Sequence, residues 1–320
     1  METILTYTII AISIIVVASI WILKYRSKNM ELQHTKSDNV HIIDGLNAKI
    51  ADLETNIKTE SERCTIANKE NTSSIRYAQR IQRAAFPQKE IGRVFDDYFI
   101  FTKSIDIVTG DFFKAVKVKN YKIFVLADCA GHGIPGAFLT MLGLSALKES
   151  LTKHFNDNDI NLAQILDEMR QFVKTSLKSN NSNSNIYDGM NLTLCAFDSN
   201  GEIRFAGANQ NVYLYSNGAL QAFNGDKMPI GWSFKNENPF TQTIIQAPKG
   251  SMLYLTTDSL QSQFGGPNNV KFSTKRLTAM FKDIAPLPIQ DQKKNVSSIV
   301  NNWVEGYTQV DDLTVAGVRI

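Results

Sequence analysis

The chain has 320 residues, 43% of them apolar, enough to bury one catalytic-sized core once a tail-like N-terminus is set aside. A formal net charge of +3 with no long basic run gives nucleic acid no electrostatic footprint. Three cysteines, Cys64, Cys129 and Cys195, are an odd number without C-x-x-C spacing, which argues against a disulfide framework or a zinc ribbon and suits a reducing compartment.

Residues 4–23, ILTYTIIAISIIVVASIWIL, carry no charge. At helical rise they cover about 30 Å, the thickness of a bilayer core. A cleaved signal peptide would place positive charge ahead of the apolar run; here Glu2 precedes it, and Lys24, Arg26 and Lys28 follow. Residues 1–29 are therefore expected to be a single-pass anchor in the inner (cytoplasmic) membrane, with everything after it in the cytoplasm. Trp21 and Tyr25 suit the interface.

Residues 30–72 follow as a linker. Ile43, Leu46, Ile50, Leu53 and Ile57 alternate spacings of three and four, continued weakly by Cys64 and Ala67. This predicts a short coiled coil and a parallel homodimer. Glu60 on the seam and Gly45 within it weaken the pattern, and a lone amphipathic helix is the alternative. A further helical pattern, SSIRYAQRIQRAAF from Ser73 to Phe86, stops at Pro87 and gives a separate helix within 73–90.

From 91 to 320 short apolar runs alternate with turn signals. YFIFTKSI, FFKAVKV and YKIFVLAD read as antiparallel strands. Helices are expected from Pro135 to about Phe155 and from about Leu162 to Ser179, and SNNSNSN reads as a loop. NLTLCAFD, IRFAGA, VYLYS and ALQAF follow, with hairpin signals at Ser199-Asn200-Gly201 and Ser216-Asn217-Gly218. TQTIIQA and MLYLTTD precede two helices and a last strand, LTVAGVRI. The fold expected is α+β, two antiparallel sheets packed as a sandwich and flanked by helices in four layers, αββα.

Four aspartates stand at strand ends or tight turns: Asp111 in TGDFF, Asp128 in VLADCAGHG, Asp258 in YLTTDS and Asp311 in QVDDLTV. Singly, each fits an aspartate that merely favours a turn. Gathered, a close pair would repel by about 4 kcal/mol at 4 Å and an effective dielectric near 20, which only cations offset. Two divalent ions balance four carboxylates, and all-oxygen ligation selects magnesium or manganese. The glycines of GHGIPG also match G-x-G-x-x-G, but a second helix and then hairpins follow where a dinucleotide fold needs a parallel strand. Cys129 has no arginine at phosphate-cradling distance, which removes a cysteine phosphatase. His132 is a candidate for protonating a leaving group or orienting water, or else a local hydrogen-bonding residue of its turn.

Taken together, RYAQRIQRAAFP, DIVTGDFF, ADCAGHGIPGAF, YDGMN, FAGANQ, DKMPIG, LTTDSLQSQFGG and QVDDLTV resemble the stage II sporulation protein E-like branch of the metal-dependent, protein phosphatase 2C-like (PPM-type) enzymes, from about Ile75 to Ile320. The resemblance implies hydrolysis of phosphoserine or phosphothreonine by a water activated between two manganese or magnesium ions. It implies that Asp128 bridges the metals beside the carbonyl of Cys129, that Asp258 and Asp311 complete one site, and that Asp111 lies behind them or binds through water. Asp188 is a weaker candidate. It also implies a switch role for the helix within 73–90, and a phosphorylated regulatory protein, such as an anti-sigma factor antagonist, as substrate. The chain departs from the pattern where glycine is usual at Ser259, where aspartate is usual at Ser262, and where it is frequent at Asn191. Strain at Ser259 and a lost carboxylate at Ser262 are the expected consequences. The alternative function is therefore a catalytically weak or inactive pseudophosphatase, a binding module at the membrane.

Overall fold

The computed structural model describes residues 2–154, 159–177, 188–233 and 238–320, in two compact units, Met1–Thr72 and Ser73–Ile320. The expected SNNSNSN loop lies outside the described residues.

The first unit is helical. It belongs to α1, Glu2–Ala85, so the anchor, the linker and the short helix expected separately are one helix. No proline precedes Pro87, and Gly45 costs a helix only about 1 kcal/mol. Among the described residues, α1 is the one helix long and apolar enough to cross a bilayer. The seam residues Ile43, Leu46, Ile50, Leu53 and Ile57 are all exposed.

In the second unit, the end of α1 is followed by α2 (Gln88–Ile91), β1 (Tyr98–Lys103), β2 (Asp111–Val118), β3 (Tyr121–Cys129), α3 (Gly133–Lys153) and α4 (Leu162–Ser176). Next come β4 (Gly189–Phe197), β5 (Glu202–Ala208), β6 (Val212–Ser216), β7 (Ala219–Phe223), β8 (Ile230–Gly231), β9 (Thr243–Gln246) and β10 (Met252–Thr256). The chain ends with α5 (Ser259–Ser262), β11 (Phe264–Gly265), β12 (Val270–Lys271), α6 (Ser273–Ile284), α7 (Ile289–Val304) and β13 (Leu313–Arg319).

One sheet has the order β1-β13-β10-β6-β7; the other has β2-β3-β4-β5-β9, with β8 added beside β4. Every one of these pairings is antiparallel. The strand period of two explains the layers. Ile100, Leu214, Leu253, Leu255, Ala316 and Val318 join the core between the sheets. Their neighbours Phe99, Phe101, Tyr213, Tyr254, Leu313 and Val315 face the other way, into a second core with α6 and α7. There Tyr254 stacks on Phe281 at 4.4 Å, and its hydroxyl donates to Gln292 at 2.8 Å. Helices α3 and α4 bury Leu139, Leu147, Ile165, Leu166 and Met169 with the strands of the other sheet. The four-layer α+β sandwich is as expected, and both sheets carry near-continuous apolar runs because both of their faces are covered.

Candidate active site

Antiparallel pairing of β2 with β3 sets Asp111 directly across from Asp128, and β4 sets Asn191 on the other side of Asp128. Residues so paired project on the same face. From the facing sheet, Asp258 begins α5 just after β10, and Asp311 stands in the approach to β13. Asp128, Cys129, Gly131, Asn191, Asp258 and Asp311 line one cleft of about 250 Å³. Asp111 does not line it. Its buried carboxylate borders a neighbouring cavity of about 480 Å³, together with Gln79, Gln82 and Thr109.

The electrostatics are those of crowded anions. Burial, then the charge of Asp128, raises Asp111 well above the usual carboxylate range, against a 2.6 Å hydrogen bond from the Thr314 hydroxyl to its Oδ2. Its Oδ1 is buried without a hydrogen-bond partner. Burial, then Asp258 and Asp311, raises Asp128 in the same way, while the Ser259 hydroxyl donates to Asp128 Oδ2 at 3.2 Å. Asp311 is raised chiefly by burial. The side chains share a cleft without closing on a point: among the described residues no group of three or more His, Cys, Asp or Glu stands close enough to hold a metal ion. An orphaned buried carboxylate oxygen and an all-oxygen donor set are what hard divalent cations fit.

Three devices set the positions. Buried Asp312 accepts from Ile105 N at 2.8 Å, Thr109 Oγ1 at 2.9 Å and Gly110 N at 2.6 Å, so one carboxylate shapes the loop that delivers Asp111. Sequence reasoning passed over Asp312 in favour of its neighbour; the doubled aspartate ahead of an apolar strand was the available signal. At the end of α1, Gln82 donates to Thr109 O at 2.7 Å and to Thr140 Oγ1 at 3.1 Å and accepts from Thr109 N at 3.1 Å, and Gln79 donates to Ile107 O. Glycines then permit a close backbone approach: a Cβ on Gly136 would lie 2.3 Å from Gly131 O and 3.0 Å from Gly110 Cα.

His132 does not line the cleft. It is half exposed at the start of α3, and its Nδ1 is 2.6 Å from Asp106 Oδ2. The Cys129 thiol is buried, and burial followed by Asp128 and Asp111 pushes it well above the usual range, so it is no nucleophile. Asp188 is exposed and outside the cleft lining. Ser259 is not among the residues with positive φ, so the strain expected there is absent. Ser262 is exposed at the end of α5, and Asn191 accepts from Asn209 Nδ2 at 3.0 Å.

The family model of stage II sporulation protein E matches residues 119–320. No curated protein matches the chain. Among solved structures, the SiaA PP2C domain of Pseudomonas aeruginosa is 28% identical, with a TM-score of 0.70 over 79% of this chain and 98% of that one. The PP2C phosphatase domain of SpoIIE from Bacillus subtilis, with a fragment of its regulatory domain, is 16% identical; the match covers 70% of this chain and 63% of that one at a TM-score of 0.56. The RsbU and RsbW domains of a Mycobacterium tuberculosis protein share 17% identity over 69% of this chain and 59% of that one, with a TM-score of 0.53. The last two show the fold alone. With its sandwich and a match over more than half its length, the chain belongs to the stage II sporulation protein E family and carries a PP2C-like phosphatase domain.

Proposed function

We propose that the chain is a membrane-anchored protein serine/threonine phosphatase acting on a phosphorylated regulatory protein at the cytoplasmic face of the inner membrane. The observation that carries this is the cleft lined by Asp128, Cys129, Asp258 and Asp311, with Asp111 across the strand pair from Asp128. Asp128, Asp258, Asp311 and the Cys129 carbonyl would hold two manganese or magnesium ions, with Asp111 supporting them. Such ions, when bound, neutralise the carboxylates, lower the pKa of water and polarise a phosphoryl group. The residues around them do the positioning: Asp312 and Gln82 fix the loop before Asp111, and Gly110 and Gly136 let that loop and α3 pack against the Gly131 backbone. His132, outside the lining, is the candidate proton donor to the leaving oxygen.

In this reading residues 1–29 are the anchor, 30–72 the coiled-coil linker and dimer seam, 73–90 a switch-like helix and 91–320 the phosphatase domain. The apolar helix supports the anchor, and the exposed Ile43–Ile57 seam supports the homodimer. An anti-sigma factor antagonist-like substrate rests on the family resemblance alone. A pseudophosphatase is the second reading, favoured by the Ser259 hydroxyl that engages Asp128 and by the Asn191–Asn209 pair.

The deciding experiment is manganese-dependent phosphate release from a phosphothreonine peptide by the full chain in detergent. Turnover that disappears in Asp128→Asn is the expected result. An inactive wild type defeats the enzyme and leaves the pseudophosphatase, whereas an equally active Asp128→Asn defeats the assignment of this cleft as the site of turnover.

A further inference from the structure

The loop from Ser104 to Gly110 and the Gly131-His132-Gly133 turn are far apart in sequence and joined by one side chain. Asp106 Oδ2 lies 2.6 Å from His132 Nδ1. The turn is shaped to receive that carboxylate: Gly133 has φ +63, and a Cβ there would lie 2.8 Å from the same Asp106 oxygen. Asp106 in turn is carried by a braced loop, since Asp312 holds Ile105, Thr109 and Gly110 while Gln79 and Gln82 hold Ile107 and Thr109. Because Nδ1 is the nitrogen engaged, Nε2 is the one left to meet a substrate. The turn leads there, as Gly131 lines the cleft.

We infer that Asp106 is a positioning residue of the phosphatase reaction, which turns the His132 ring so that its Nε2–H meets the oxygen of the departing serine or threonine. The inference rests on the phosphatase reading above. As water attacks phosphorus, the bond from phosphorus to the alcohol oxygen breaks and its electron pair stays on that oxygen. The oxygen takes the Nε2 proton, so the product leaves as a neutral alcohol. His132 regains a proton from solvent, and the attacking water releases one to solvent. Alkoxides are poor leaving groups, so an alkyl phosphate needs this proton, whereas a p-nitrophenyl phosphate, whose phenolate is stable, depends on it much less. The charged groups that act on the ring are Asp106, by hydrogen bond, and Asp311 and Asp312, by charge; all three favour its protonated form.

A latch that merely ties two loops together would weaken catalysis on every substrate alike, and this separates the two roles. The full chain in detergent is assayed with a phosphothreonine peptide and with p-nitrophenyl phosphate, as wild type, Asp106→Asn and Asp106→Glu. For Asp106→Asn, kcat on the peptide is expected to fall by about tenfold to a hundredfold. The loss on p-nitrophenyl phosphate should be at least about tenfold smaller than that on the peptide. The alkaline limb of the peptide pH profile moves to lower pH, and Asp106→Glu recovers part of the loss. Histidine-labelled NMR, simple with four histidines in the chain, should show the His132 pKa lowered in Asp106→Asn. Equal losses on both substrates, or an unmoved His132 titration, overturn the inference. A wild type inactive on both substrates overturns the phosphatase reading and the catalytic role of Asp106 with it, while the NMR titration still reports the pair itself.

Discussion

Replacing Gln82 by leucine tests whether the end of α1 governs the carboxylates or only covers them. The side chain is nearly fully buried, and its amide satisfies both Thr109 N–H and Thr109 C=O, two residues ahead of Asp111. Leucine keeps the bulk and removes the hydrogen bonds. Each backbone group left unpaired costs about 1–3 kcal/mol, so about 2 kcal/mol is a low figure for the pair. The loop recovers that energy by detaching, which frees the start of β2 from its register with Asp128. Because 1.4 kcal/mol is a factor of ten, manganese affinity should weaken by about 30-fold if loop order and metal binding are linked. Titration calorimetry with manganese on the full chain reads the affinity, and thermal unfolding without manganese reads the loop's contribution to stability. A lower melting temperature with manganese affinity within about twofold of wild type would refute the linkage and leave Gln82 a packing residue.

Two further outcomes follow from the geometry of the site. Asp111, Asp128 and Asp311 bind protons more tightly folded than unfolded, so the stability they contribute is fully present below about pH 3.8 and is lost as pH rises through their raised values. In the proposed function manganese would take the proton's place as the neutralising charge, so it should raise the melting temperature more at pH 7.5 than at pH 5; equal shifts contradict this account. Gly136→Ala puts a methyl against two backbone segments and should cost about 3 kcal/mol in urea unfolding. Gly218→Ala, at φ +80 with open space around it, should cost about 1–2 kcal/mol, and equal losses at the two positions would discount the close approach.

The parts legible in the sequence are those written in local pattern. Ser216-Asn217-Gly218 forms the tight turn between β6 and β7, with Asn217 at φ 51 and Gly218 at φ 80, because the hairpin requires two left-handed residues and the sequence supplies two that tolerate it. Asp128 could be placed at a strand end because VLAD runs out of apolar residues there. The illegible parts depend on partners distant in the chain. Nothing local separates Asp312, which organises a loop some 200 residues earlier, from Asp311, which faces the cleft. Asp106 opens the string DIVTGDFF, but its meaning comes from a histidine that reaches it only in the folded chain. The two-residue strands β8, β11 and β12 are too short for any periodicity to show. The continuity of α1 was misread for the opposite reason: changes of composition along it look like boundaries, yet no residue before Pro87 breaks a helix.

The state of the three thiols has a chemical consequence. Cys129 and Cys195 are buried and their thiols are pushed upward, so neither presents a thiolate, whereas Cys64 lies exposed on the helix of the first unit. Alkylating reagents and mild oxidants should therefore spare the cleft and modify Cys64 alone. A native chain, without engineered cysteines, thus offers a single attachment point for a spin label or crosslinker, on the helix whose proposed pairing such a probe would test.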